Sequence, residues 1–185
     1  THIFDFPAKI TVLTTFSMPN QILIVSLNSM VKNTYIIQKK INKSQKITFH
    51  EFICACFFFE ASRNKSDVNI LESGLFFRLD ASNVLEKNIA SVVMPIGMDH
   101  MDFLKKGTID EIIFEKCSKL LNGSKIIVSE QTSLEILNKI NKIISLNSSK
   151  KIISGKDFKY KKTLNGFDFI DNSGSLSLPK PNLLG

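Results

Sequence analysis

Leu71-Glu72-Ser73-Gly74-Leu75-Phe76-Phe77-Arg78-Leu79-Asp80-Ala81-Ser82-Asn83 sets an acid, a turn and a polar cluster directly behind a short apolar run. The run, residues 68–72, is bounded by turn residues and reads as a strand buried on both faces. Residues 90–96 and 125–128 have the same build. Helical patterns alternate with these strands and start at Thr48, Thr108 and Thr132, each opening a Thr-x-x-Glu capping box that closes at Glu51, Glu111 or Glu135. Alternation of this kind predicts an α/β fold, a mostly parallel sheet flanked by helices, with ligands bound beyond the carboxyl ends of the strands.

Further out, residues 9–15 read as a β-branched strand and residues 21–27 as a second extended segment. The first helix is expected over residues 48–63. Beyond Leu146 the chain turns Lys- and Ser-rich, and residues 158–170, with a turn at Asn165-Gly166, predict a small β-hairpin near the C-terminus. No internal repeat is present.

A chain of 185 residues with 43% hydrophobic content can bury one sizeable core, and a single domain over residues 1–185 is expected. The longest uncharged apolar run, residues 52–59, falls far short of the roughly 20 residues of a bilayer span. No secretory pattern opens the chain, which begins at Thr1, so the expectation is a cytoplasmic protein whose sequence is incomplete at its start. Cys54, Cys56 and Cys117 have no metal-type spacing and read as reduced core residues. The formal charge of +7 comes from lysines scattered among Ile and Asn without interleaved aromatics, which argues for a solvated surface and against a nucleic-acid partner. A monomer is expected.

Three positions carry candidate chemistry. Glu72 at its strand end is either a solvated acid or a hard oxygen ligand for Mg²⁺ beside nucleotide phosphates. His100 follows residues 90–96 across Gly97-Met98-Asp99 and is either a surface histidine or a metal ligand, with Asp99 supporting the turn. Lys116 shares an apolar helix stripe with Ile112, Ile113 and Leu120, whereas Glu115 falls on the charged face of Glu111 and Lys119. Its amine either snorkels outward or stays partly buried, which would favour the neutral form. Arg78, Asp80 and Asn83 form a polar cluster that is either a plain turn or a substrate contact.

Taken in order, Leu71 to Asn83, Gly97-Met98-Asp99-His100 and Glu115-Lys116 resemble the ATPase domain of folylpolyglutamate synthase and dihydrofolate synthase, the folate branch of the Mur ligase superfamily. The likeness extends through Thr48-Phe49-His50-Glu51-Phe52 and on to Leu178-Pro179-Lys180-Pro181-Asn182-Leu183-Leu184-Gly185. It implies a Mur ligase central-domain fold and an ATP-dependent ligase that phosphorylates a substrate carboxylate and lets the amine of glutamate displace the phosphate. Dihydropteroate or folate, glutamate and ATP are the implied partners. The resemblance makes Glu72 and His100 metal ligands for Mg²⁺, Lys116 a carbamylated lysine, and Thr48, Arg78, Asp80 and Asn83 substrate-binding residues.

Departures from the family pattern are as specific as the matches. The 185 residues contain no Gly-Lys-Ser or Gly-Lys-Thr phosphate loop, and the family's carboxy-terminal glutamate-binding domain has no counterpart. A truncated central domain, inactive alone, is therefore expected. The family's Thr-Ser-Pro-His is replaced by Ser17-Met18-Pro19-Asn20, its Gly-Leu-Gly-Gly-Arg by Gly74-Leu75-Phe76-Phe77-Arg78, and its Glu-Lys-Ala-Gly by Glu115-Lys116-Cys117-Ser118. Phe76 and Phe77 are expected to fill space beside the helix from Thr48, with at least one ring buried against Phe57, Phe58 or Phe59. A non-catalytic ligand-binding remnant and the central domain of a cell-wall Mur ligase stand as alternatives.

Overall fold

The computed structural model describes residues 10–12, 48–63 and 67–180. Five strands form one parallel sheet: β1 (Ile10–Val12), β2 (Asn69–Leu71), β3 (Ala90–Val93), β4 (Lys125–Val128) and β5 (Lys150–Ile153). Their order is β2-β1-β3-β4-β5. Helices α1 (Phe49–Arg63), α2 (Ile109–Cys117) and α3 (Leu134–Ile144) precede β2, β4 and β5, whereas residues 72–89, between β2 and β3, contain no helix, so the predicted alternation holds except there. The segment 21–27 and the tetrad from Ser17 to Asn20 lie outside the described residues.

Burial explains why these runs become strands and helices. Ala90, Ser91 and Val93 of β3 and Ile126 and Val128 of β4 are buried, and Val93, Ile126 and Val128 share one core cluster with the Ile112, Ile113 and Cys117 stripe of α2 and the Ile140 and Ile144 stripe of α3. Ile113 and Cys117, like Ile140 and Ile144, are four residues apart, which puts each pair on one helix face. Each of these isoleucines is 2% exposed or less, and burial of that kind contributes about 1.5–3 kcal/mol apiece. A second, smaller cluster joins Cys54 and Phe58 of α1 to Leu71 of β2.

The helix starts follow the predicted chemistry in part. Thr48 and Glu51 close a full capping box: the Thr48 N–H donates to Glu51 Oε2 at 2.6 Å, and the Glu51 N–H donates to Thr48 Oγ1 at 3.3 Å. At Thr108 only one half forms, because Glu111 turns its carboxylate back to the N–H groups of Lys105 and Lys106 at 3.2 and 2.8 Å. The third box is wrong by one residue. Ser133, in extended conformation, caps α3 by accepting from the Ile136 N–H, and Glu135 pairs instead with Lys139 one turn on.

Two strands were missed. Lys150-Lys151-Ile152-Ile153 lies at the sheet edge, where Lys150 is exposed and the half-buried Lys151 donates to the Asn147 carbonyl, so its composition conceals β5. The expected hairpin is a three-stranded antiparallel meander of β6 (Phe158–Thr163), β7 (Gly166–Asp171) and β8 (Gly174–Pro179). Its first turn is Leu164-Asn165, and Gly166 opens β7 in register with Thr163. Any Cβ at Gly166 would collide with the carbonyl oxygen of Leu178. Phe158 and Phe169 stack across β6 and β7 with ring centroids 5.5 Å apart.

The strand order sets the place for a ligand. From β1 the chain goes to β2 on one side and to β3 on the other, so the order reverses at β1. In open parallel sheets such a reversal leaves a crevice at the carboxyl edge, because the two connections leave in opposite directions. Glu72 follows β2 and residues 94–100 follow β3, so the two predicted metal positions flank the end of β1.

Candidate functional site

A cavity of about 380 Å³ occupies that crevice. Glu72, Asp99, His100 and Lys116 all line it, together with the loop from Ser73 to Phe77 and the segment leaving β3. The three residues singled out from the sequence therefore share one cavity.

His100 is held by a local device. Its backbone is left-handed, with φ 55°, and its N–H donates to Asp99 Oδ1 at 2.8 Å. Its Nε2 lies 3.3 Å from Asp99 Oδ2, so one carboxylate fixes both the backbone turn and the ring. Phe76 meets the imidazole edge-on with centroids 6.0 Å apart. From the other side Gln131, after β4, accepts from the Ile96 N–H at 3.0 Å and donates to the carbonyls of Met94 and Ser129. Gln131 thus ties the ends of β3 and β4 together beneath the loop that carries His100. It was missed, although a polar residue just past an apolar strand is the same signal that marked Glu72.

Lys116 is half-buried on α2 and donates from Nζ to the carbonyl oxygen of Leu75 at 2.9 Å. Its ammonium also sits 5.6 Å from the centroid of the Phe76 ring. The amine is therefore directed at the Gly74 loop, where burial lowers its pKa and the charge of Asp99 partly opposes that shift.

Arg78 does not project into the cavity. It forms a two-pronged ion pair with Glu115, both N···O distances 2.8 Å, and its guanidinium lies 5.6 Å from the ring centroid of Phe114. The backbone N–H groups of Phe77 and Arg78 also donate to the carbonyl oxygen of Glu115. Glu115, placed by helical spacing on a charged outer face, is instead the anchor that docks this loop on α2. Helical spacing sets Glu115 off the apolar stripe, but only the fold brings an arginine 37 residues earlier in the chain to that face.

Phe77 is buried, as expected for at least one ring, but its neighbours differ from those anticipated. It packs with Val93, Ile112 and Ile113 of the main core, and the α1 phenylalanines Phe57 and Phe58 belong to the other cluster. Phe76 stays half-buried and forms part of the cavity wall.

Asp80 organises the turn. Its Oδ1 accepts from the Ser82 N–H at 2.8 Å, its Oδ2 from the Gly74 N–H at 3.0 Å, and His50 Nε2 lies 3.2 Å from Oδ1. Burial by itself raises its pKa, yet the hydrogen bonds from Ser82, His50 and Gly74 outweigh that and hold the carboxyl below its usual range. Asn83 closes the turn by donating to the Arg78 carbonyl at 3.4 Å, and Thr48 is engaged in its capping box. Cys54, one helical turn after His50, has its thiol pushed up to about 11 by burial and by the negative charges of Asp80 and Glu51.

Mg²⁺ takes hard oxygen ligands and keeps several waters, so of the cavity-lining residues the carboxylates of Glu72 and Asp99 are the donors of the right type. His100 lines the same cavity as a nitrogen donor. Among the described residues the three-residue group whose ligand atoms lie within 4.8 Å of one another is a different one, His50, Cys54 and Asp80.

No protein-family model matches the chain. Among solved structures, E. coli FolC in complex with DHPP and ADP superposes with a TM-score of 0.75 at 22% identity, covering 95% of this chain and 49% of that one. A complex described as FPGS-AMPPCP-folate gives 0.70 at 17% identity over 92% of this chain and 51% of that one. The chain shares the fold of about half of each of these solved structures. By sequence, the dihydrofolate synthase/folylpolyglutamate synthase of Haemophilus influenzae is 35% identical over 104 residues, 54% of this chain and 23% of its own length. The Buchnera aphidicola enzyme of the same name, from the Acyrthosiphon pisum strain, is 30% identical over 138 residues, 72% of this chain and 32% of its own. The chain resembles the folylpolyglutamate synthase/dihydrofolate synthase family, as its three motifs indicate, and it spans about a third or less of these curated relatives.

Proposed function

We propose that these 185 residues are one central ATP-binding-type domain of a cytoplasmic ligase that joins glutamate to dihydropteroate or folate. The observation that supports this most is the convergence of Glu72, His100 and Lys116 on one cavity at the reversal of strand order. Glu72 and His100 would hold Mg²⁺, which neutralises charge on the phosphate oxygens of ATP. Lys116, whose partial burial eases loss of its proton, would carry the carbamate that the family resemblance implies. Asp80 and Asn83 shape the turn beside the cavity, while Arg78 positions that turn through Glu115 and acts on substrate only indirectly.

The chain alone is a binder in this reading, since it has no Gly-Lys-Ser or Gly-Lys-Thr sequence to cradle phosphates. Phe76 favours the non-catalytic variant of the same reading, because its ring touches both His100 and Lys116 where a metal-bound nucleotide would approach. Titrations of the 185-residue chain with dihydropteroate and with Mg-ADP test the proposal. Dihydropteroate should bind, Mg-ADP should bind weakly, and His100→Ala should abolish the latter. Absence of pteroate binding would remove the folate assignment. Formation of folyl-glutamate from ATP, lost in Glu72→Ala, would overturn the claim that the chain alone is inactive.

A further inference from the structure

We propose that His50, Cys54 and Asp80 form a binding site for a thiophilic divalent cation of the zinc class, with three protein ligands and a fourth coordination position facing solvent. None of the three lines the cavity of Glu72 and His100.

The site arises from two simple placements. His50 and Cys54 are four residues apart on α1 and so lie on one helix face, one above the other. Asp80, from the turn behind β2, is brought against that face by the small cluster of Cys54, Phe58 and Leu71. His50 Nε2 is then 3.2 Å from Asp80 Oδ1 and 3.7 Å from Cys54 Sγ, and all three ligand atoms lie within 4.8 Å of one another. A tetrahedral ion bound at about 2.0–2.3 Å needs ligand atoms about 3.3–3.5 Å apart, so the two gaps from His50 match to within about 0.2 Å and the third has to close to the same spacing from at most 4.8 Å.

The surroundings suit a metal as well. Ser82 and Gly74 N–H groups already orient both oxygens of Asp80, the kind of outer support that fixes metal-bound carboxylates. Gly74 makes that approach possible, since a Cβ there would lie 3.1 Å from both Asp80 Oδ2 and His50 Cε1. Cys54 and the Asp80 side chain are 6% and 7% exposed, whereas the His50 side chain is 47% exposed, so the open position lies on the imidazole side. Binding displaces the thiol proton to solvent, leaving a thiolate on the ion. The donor set of one nitrogen, one sulfur and one oxygen selects zinc-like ions over Mg²⁺, which avoids sulfur. The bound ion would pin the start of α1 to the turn of Arg78 and Asn83.

Co²⁺ is the direct probe, because a thiolate ligand gives it a near-ultraviolet charge-transfer band. The full chain, kept reduced, should bind one Co²⁺ with that band, excess Mg²⁺ should leave it in place, and Zn²⁺ should abolish it by displacement. Cys54→Ser should remove the band, Cys56→Ala should keep it, and His50→Ala should weaken Co²⁺ at least about tenfold, with circular dichroism showing that each variant is folded. His50 is largely exposed, so that variant reads the site even if Cys54→Ser fails to fold. A Co²⁺ complex without the thiolate band, a band that survives Cys54→Ser, or unchanged affinity in His50→Ala would overturn the proposal.

Discussion

Two adjacent phenylalanines divide the work at the mouth of the cavity. Phe77 is 6% exposed among Val93, Ile112 and Ile113, whereas Phe76 is half-buried against His100 and Lys116. Truncation of a buried ring loses its transfer energy and leaves a void, so Phe77→Ala should destabilise the chain by about 3–5 kcal/mol in urea unfolding. Phe76→Ala should cost clearly less than that and should enlarge the cavity. Equal losses for the two variants would show that both rings are core. The Arg78–Glu115 pair behaves differently again: two charge-assisted hydrogen bonds and two backbone N–H groups on one carbonyl fix the loop geometrically, so Glu115 is a docking point for the motif.

Among the elements, α3 decides between two readings of one helix start. Ser133 Oγ accepts from the Ile136 N–H at 3.2 Å, which leaves Thr132 outside the helix. Loss of an N-cap hydroxyl exposes an unpaired backbone donor and costs about 1 kcal/mol. Ser133→Ala should therefore lower stability by about that amount, while Thr132→Ala should change it by less than half as much, measured in the same unfolding assay. The reverse order would restore the box predicted from Thr-x-x-Glu. A pattern of that kind marks the neighbourhood of a helix start reliably, but two hydroxyls in succession compete, and the one whose extended backbone aims it at the third N–H of the helix wins.

Over the whole molecule, one described contact between the antiparallel meander and the segment that follows β4 is chemically addressable. Tyr160 of β6 donates its O–H to Glu130 Oε2, beyond β4, at 2.7 Å. That bond, reinforced by the carboxylate charge, raises the phenol pKa above its usual value. A raised pKa means the folded state holds the proton more tightly than the unfolded one, so the contribution is complete below the ordinary phenol range and is lost as pH rises through the folded value. Ultraviolet titration should show Tyr160 ionising above a free tyrosine, and Glu130→Gln should bring it back down. A titration identical in the variant would mean that the contact does not persist in solution.

What the chain determined by itself was local and periodic. Short apolar runs such as Lys125-Ile126-Ile127-Val128 and stripes such as Ile112, Ile113 and Cys117 specify elements through local pattern alone, and Glu72 and His100 could be marked because a polar residue behind an apolar strand projects from a sheet edge. Edge strand β5 is hidden in the sequence because two of its four residues are lysines and none of its side chains is fully buried. The partners of those marked residues were decided by tertiary structure. Helical spacing places Glu115 on a face without saying that Arg78 will meet it there, and no spacing links His50 to Asp80, 30 residues away. Distances of about 3 Å between side chains so far apart in sequence follow from how helices and strands pack, and packing depends on the sum of many buried contacts that no single motif contains.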